Sequence, residues 1–444
     1  MNFNRRQFLR AAGMTAAGAA AMSALAACGG GDAGTSAPAA AASAGAATGD
    51  LTFSVWGSDA EMAAFNTIAR AFEKANAGVK VKVEQLPYDQ MRTTLDARLQ
   101  SGQGPDLFRV TYNDIGIYSS QGVLADLSAT VGADSGQFID ALWAGVQYQG
   151  KPYGVPHHTD TSAILYNKAH FAKAGITDVP TTLDTAWTWE QFLEVAEKLN
   201  AAGTGATAAF GVNWQQYGAY RWFNWLWQAG GKALSPDGTT AAFDTPQARQ
   251  ALEFTKSFYD KGLMPKNMMV KTANSPDLVF GSGKISMAFV GDFLLPDINK
   301  TAKGIEIGAT FLPKGPGGAA SDLGGNAVAV TTQSKAPEAA AAFAKFLAEP
   351  ANMQLFCEQT TVLPARKDLA GAKLNYAVSP DLMPVFQQQA TTMPADLVQF
   401  VTLPGFSGVN DALVQNLEGY FTGGQSADDT VGAIGAAIEK ALSA

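Results

Sequence analysis

Apolar and polar positions alternate over residues 51–56, and Gly57-Ser58-Asp59 breaks the alternation before a stretch of helical spacing over 61–77. At Val79-Lys80-Val81-Lys82-Val83 the valines fall on one face and the lysines on the other, the pattern of a strand with one buried side. Residues 88–100 read as a helix, 102–105 as a loop, and 106–110 as a third, more uniformly apolar strand. The order βαβαβ predicts a parallel sheet covered by helices.

After Tyr153-Gly154-Val155-Pro156 the periods begin again. A strand is expected at 162–167, a short helix at 170–174, and a helix to Asn200 that opens on the capping box Thr188-Trp189-Glu190-Gln191. Further helices are expected at 217–228, 246–261, 337–348, 351–359 and 427–442, with strands at 285–290, 305–311 and 327–331 between them. The reading is α/β throughout, without internal repeat and without a linker that would separate two independent bodies.

The first fifty residues follow other rules. Arg5, Arg6 and Arg10 precede an uncharged, Ala-rich run over 11–27, a signal-peptide layout, and Arg5-Arg6-Gln7-Phe8-Leu9 resembles the twin-arginine export motif. In that run Leu25 is the only leucine, which makes a transmembrane anchor a poor alternative. Leu25-Ala26-Ala27-Cys28-Gly29 resembles a bacterial lipobox, so 1–27 is expected to be removed and Cys28 to carry lipid. Residues 29–49, all Gly, Ala, Ser, Thr, Pro or Asp, read as a tether holding the working body beside a membrane. Cys357 then remains as the only free thiol, expected to be a small buried apolar residue.

Composition narrows the chemistry. Of 444 residues, 47% are apolar and 16% charged, enough for a large core and too few charges for a disordered chain. Net charge is −8, and loss of three arginines on cleavage would leave 28 Lys plus Arg against 39 Asp plus Glu, a net of −11. That balance excludes nucleic acid as the expected partner. Only three histidines are present, and no Gly-x-Ser-x-Gly elbow, His-Glu-x-x-His pair or Walker loop occurs. Neither a cofactor nor a metal is expected.

A series of short matches runs through the body. They include Gly104-Pro105-Asp106-Leu107-Phe108, Gly150-Lys151-Pro152-Tyr153-Gly154-Val155-Pro156, Leu165-Tyr166-Asn167-Lys168, Thr188-Trp189-Glu190, Trp227-Gln228-Ala229-Gly230-Gly231, Phe280-Gly281-Ser282-Gly283-Lys284-Ile285, Gly324-Gly325-Asn326 and Leu363-Pro364-Ala365-Arg366. In this order they resemble the family-one extracellular solute-binding proteins of ABC importers, the group of maltose-binding-like receptors. The resemblance implies a periplasmic-binding-protein-like type II fold, with two α/β lobes joined by crossover segments around a ligand cleft. Carried over, the first lobe is 50–157 plus 325–362 and the second 160–323 plus 364–444. It also implies a monomeric, exported receptor, lipid-anchored at the outer face of the cell membrane, that passes a small solute to permease subunits.

Loops at the carboxyl ends of strands are where open α/β sheets bind ligands. On that ground and on the resemblance, the candidate ligand-binding residues are Trp56, Ser58, Asp59, Asn113, Asp114, Asp160, Trp214, Tyr217, Asp292, Phe293, Asn326 and Arg366. Sugars present C–H faces and hydroxyl edges, which call for aromatic planes and planar polar groups together. Residues 214–227 contain four of the eight tryptophans, with Trp225 and Trp227 expected in the core and Trp214 and Tyr217 placed at the helix start, where they can face the cleft. Structural roles compete at each polar site: helix capping for Ser58, Asp59 and Asp114, and a turn for Asp160. A carbohydrate is the expected solute; a polyamine, a phosphodiester or a peptide is the alternative, and a secreted hydrolase using paired carboxylates such as Asp114 and Asp160 is the remote one. Replacing Cys28 with Ala is expected to move the protein from membranes to the soluble fraction; continued sedimentation with membranes and labelling by palmitate would contradict the lipobox reading.

Overall fold

The structure, a computed structural model, describes residues 48–272 and 275–443. The segments expected to be signal peptide and tether, with Cys28, therefore lie outside the described residues apart from the last tether positions. The strands are β1 Gly49–Val55, β2 Val79–Gln85, β3 Leu107–Thr111, β4 Gln147–Tyr148, β5 Lys151–Pro152, β6 Val155–Thr159, β7 Ser162–Asn167, β8 Ala208–Val212, β9 Ile285–Gly291, β10 Ile307–Thr310, β11 Asn326–Val330 and β12 Leu363–Pro364. Six of them form one sheet in the order β12-β6-β11-β3-β1-β2, four form a second in the order β10-β7-β9-β8, and β4 and β5 make a short ribbon. Each of the two larger sheets is the centre of one lobe.

β2, β1 and β3 run parallel, as the βαβαβ spacing predicts. β11 then inserts antiparallel between β3 and β6, so the sheet is mixed. The alternating β2 has Val79 and Val81 buried and Lys80 and Lys82 exposed, one face of the strand turned to the core and the other to water. Helix Asp59–Ala75 covers this sheet with Ala64, Phe65, Ile68, Ala69 and Phe72. Phe53 on β1 meets the Phe65 and Phe343 rings at 5.3 and 5.7 Å between centroids. In the second lobe Phe192, Phe210, Phe258 and Phe289 form an edge-to-face aromatic core.

The chain passes between the sheets at 160–161, joining β6 to β7, and again between β10 and β11. The return after β12 falls later than expected. Ile139 donates to the Ala365 carbonyl, Lys367 reaches Asp140 at 2.7 Å, and Ala377 donates to the Glu358 carbonyl, so the chain stays on the first lobe past Pro364. It joins the second lobe at helix Met383–Ala390, where Gln389 receives the Leu312 N–H.

The helix expected over 217–228 is divided into a 3-10 turn, Gln216–Trp222, and helix Phe223–Gln228. Gly218 lies against the Asn213 carbonyl, and the Tyr220 N–H is taken by the Asn410 side chain at 2.9 Å, which draws the first turn off α-helical winding. Trp214 is fully buried, its ring stacked on Phe258, Tyr259 and Phe421. It belongs to the second-lobe core and not to the cleft, correcting the expectation from its place before the helix. Truncating it to Ala is expected to cost ~3–5 kcal/mol of stability in a denaturant titration; a loss below 1 kcal/mol would contradict this placement.

Candidate functional site

A cavity of about 700 Å³ opens between the lobes where the carboxyl ends of β1, β2 and β3 face the second lobe. Its size falls in the ordinary range for small-molecule sites. The first-lobe wall begins at Trp56, which follows β1, and continues to Ser58, the N-cap of helix Asp59–Ala75. Ser58 and Glu61 form a reciprocal capping box, with the Ser58 N–H donating to Glu61 Oε2 at 2.7 Å. The other Glu61 oxygen lies 2.8 Å from Arg109 Nη2. Arg109, buried on β3, also donates to the Trp56 carbonyl at 2.7 Å, and its guanidinium lies 4.7 Å from the Trp56 ring centre. The cap of one helix, an arginine from another strand and the Trp56 plane thus hold one another in place.

Asn326, at the start of β11, turns its amide oxygen to this arginine and accepts from Nη2 at 3.0 Å and from the His158 Nε2–H at 3.1 Å. His158 in turn accepts from His157 Nδ1 at 3.1 Å. Burial, reinforced by Arg109, lowers both imidazoles, His157 to about 3, so this part of the floor stays neutral.

The crossover carries the charge. Asp160 is 7% exposed, its Oδ1 has no hydrogen-bond partner, and Arg221 Nη2 stands 3.9 Å away. Burial raises its pKa to about 6, with Arg221 opposing and Asp322 reinforcing the shift. Arg221 Nε bonds Asp322 Oδ2 at 3.1 Å, and Asp322 also receives Asn224 at 2.9 Å. A Cβ at Gly324 would stand 1.8 Å from Asp160 Oδ1, so only glycine lets the carboxylate sit there.

Aromatic rings line the mouth. Tyr88, at the start of helix Tyr88–Gln100, meets Trp56 at 5.7 Å between centroids and, across the cleft, Tyr217 at 6.1 Å edge-to-face. Phe293 and Tyr220 extend this lining on the second lobe. Eight of the twelve sequence candidates line the cavity: Trp56, Ser58, Asn113, Asp114, Asp160, Tyr217, Phe293 and Asn326. Asp114 is committed within the first lobe, accepting from Thr111 at 2.9 Å with Arg92 at 3.6 Å.

Four candidates lie elsewhere. Trp214 is in the core, as described. Asp59 is exposed in the first turn of its helix, where a carboxylate favours the N-terminal dipole, while its neighbour Ser58 takes the cleft side. Asp292 is fully buried beneath the crossover, its pKa raised well above the ordinary range by burial and by Asp160. Arg366 bonds Asp368 through two nitrogens and stands over the Phe138 ring, fastening the chain to the first lobe. Sequence reasoning missed Glu61, Tyr88, Arg109, His158, Tyr220, Arg221, Asn410 and Asp411, all cavity-lining. Tyr88 carried a usable signal, since it follows the carboxyl end of β2.

Between the ordinary carboxylate range and about pH 6 the native Asp160 holds a proton that the unfolded chain has lost. Stability of the empty protein is therefore expected to fall as pH rises through that interval, with Asp292 adding the same sign. Asp160→Asn should flatten the slope in melts at pH 4 to 7; an unchanged slope would contradict the burial cause.

The sequence profile of bacterial extracellular solute-binding proteins matches residues 56–354. A galactooligosaccharide-binding protein of Bacillus subtilis is 26% identical over 320 residues, 71% of this chain and 73% of that protein. The maltodextrin-binding protein of the same species is 26% identical over 308 residues, 67% of this chain and 69% of its own. Among solved structures, the GacH receptor of Streptomyces glaucescens superimposes with a TM-score of 0.74 at 23% identity, over 89% of this chain and 99% of that one. Maltose-bound MalE3 of T. maritima gives 0.75 at 21%, over 88% and 99%. These structures share the two-lobed type II architecture built here from β1 to β12. Among the described residues no helix is long and apolar enough to cross a membrane. By the profile match over two thirds of its length, the chain belongs to the bacterial extracellular solute-binding protein family.

Proposed function

We propose that this chain is the exported receptor of an ABC importer, capturing a mono- or oligosaccharide by lobe closure and passing it unchanged to a membrane permease. One observation carries the ligand class. Of the four large apolar side chains exposed among the described residues, Tyr88, Tyr217 and Phe293 all face the same cavity. Exposed rings gathered at one mouth, beside buried polar groups, suit a ligand with C–H faces and hydroxyl edges. The named relatives bind galactooligosaccharide and maltodextrin, in keeping with this reading.

Lobe closure follows from where the groups stand. Trp56 and Tyr88 belong to the first lobe, Tyr217 and Phe293 to the second, so a ligand touching both sets favours the closed state by its differential contacts. We assign the first lobe to 50–157 plus 325–377 and the second to 160–323 plus 383–443, with Cys28 as lipid anchor after export and the monomer as working form. Asp114 and Asp160 serve as binding groups, since Asp114 is held by Thr111 and Arg92 and Asp160 stands beside Arg221. A second reading keeps the receptor and replaces sugar with another solute. It draws on a neighbour of the same fold, UgpB of Mycobacterium tuberculosis, solved with glycerophosphocholine at 24% identity and TM-score 0.74.

Thermal-shift screening of a solute library tests both readings. A sugar at 100 times its dissociation constant should stabilise the fold by ~2.7 kcal/mol and perturb the Trp56 fluorescence. Tyr217→Ala should then weaken binding roughly tenfold, about the worth of one aromatic face. If no sugar shifts the melt and a phosphodiester does, the second reading replaces the first.

A further inference from the structure

The cavity is lined by more carboxylates than its cations can answer, and the pairing shows which are left over. Arg109 is committed to Glu61 at 2.8 Å, Arg92 to Asp114 at 3.6 Å and Arg221 to Asp322 at 3.1 Å. Asp297 pairs with Lys300, one turn along its own helix, at 3.1 Å. Two lining carboxylates are left without a cation of their own: Asp411, and Asp160, which shares Arg221 with Asp322 and stands 3.9 Å from it. Asp411 is exposed in the first turns of helix Phe406–Thr422 and has no hydrogen bond or ion pair among the described residues. Asp160 is 7% exposed at the crossover, and its Oδ1 lacks a hydrogen-bond partner.

A buried acceptor left without a donor is costly, and the structure retains this one by keeping glycine at 324. A hydroxyl would satisfy the acceptor but not the negative charge left over where Asp160 and Asp322 share one guanidinium. An ammonium does both, and the aromatic mouth adds to its binding, since ring faces attract cations.

Resting on the receptor reading above, we infer that the preferred solute is a sugar carrying a protonated amine, its cationic group answered by Asp160 or Asp411 and its ring faces by Trp56, Tyr88 and Tyr217. The same surplus of carboxylates over cations disfavours sugar phosphates and uronic acids. The groups around Asp160 fix the pH response. Arg221 and Tyr220 come from the 3-10 turn, Asp322 from the loop before β11, Asp292 from the end of β9, Arg109 from β3, Tyr112 from helix Tyr112–Ser120 and Tyr88 from the helix it opens. Of these, Asp160 has its pKa raised to about 6, so the advantage of an amine should grow as pH rises from 5 to 7 and Asp160 ionises.

The experiment is calorimetric titration of the full body, 48–444, with matched sugars: glucosamine, glucose and N-acetylglucosamine; galactosamine and galactose; and the β-1,4 dimer of glucosamine against cellobiose. Spermidine serves as a cation without a sugar ring. The expected result is at least tenfold tighter binding of an amine than of its hydroxyl partner, narrowing as salt rises from 0.05 to 0.5 M. Asp411→Asn or Asp160→Asn should bring the two affinities together, and Asp160→Asn should also abolish the pH trend. Equal or tighter binding of the hydroxyl partner overturns the inference while leaving the sugar reading standing. Binding of spermidine alone overturns the inference together with the sugar reading on which it rests. No binding by any member, in a protein that melts cooperatively, overturns the inference.

Discussion

A buried guanidinium between two buried carboxylates holds the place where the lobes meet. Arg221 comes from the 3-10 turn before helix Phe223–Gln228, Asp322 from the segment returning to β11, and Asp160 from the crossover between β6 and β7. An ion buried alone would cost several kcal/mol, so each of the three segments is constrained to keep its charge within reach of the others. Ser162 and Asn224 complete the shell of Asp322. One ion group therefore fixes the path of two crossovers and sets the depth at which Asp160 stands beneath the cleft.

The same constraint explains the division of labour in the cavity. The floor is made of groups that cannot move without breaking several bonds: Arg109 with Glu61 and Asn326, and the neutral pair His157 and His158. The mouth is made of rings held mainly by other rings, Trp56 with Tyr88 and Tyr88 with Tyr217. A ring contact across the cleft worth about 1 kcal/mol or less can be broken and remade as the lobes move, whereas the floor remains set for the incoming solute.

Much of the fold was legible in the sequence because its elements announce themselves by local period. Helices 88–100 and 427–442 and the strand 162–167 fall where periodicity places them, and the capping box at Thr188 opens its helix as expected. β6 escaped because Val155-Pro156-His157-His158-Thr159 is polar in composition although buried in structure, its imidazoles bonded to each other and His158 to Asn326. β8, Ala208–Val212, carries two alanines and a glycine among its five residues, which leaves little strand signal beside Phe210 and Val212. In the site, residues that follow strand ends were readable, and eight of twelve stand in the cavity lining. Arg109, Arg221 and Asp411 were not, since which arginine is spent on which carboxylate depends on contacts across 50 to 100 residues of chain. Trp214 shows the reverse error: an aromatic beside a loop is as suited to a core as to a cleft, and three neighbouring rings decided it.

Closure of the two lobes on a solute is the central claim, and small-angle X-ray scattering reads it directly. Scattering from the body without solute and with a saturating bound sugar should show a smaller radius of gyration in the liganded state, with the sugar recovered chemically unchanged. An identical radius at demonstrated saturation, or recovery of a hydrolysed sugar, would contradict the account.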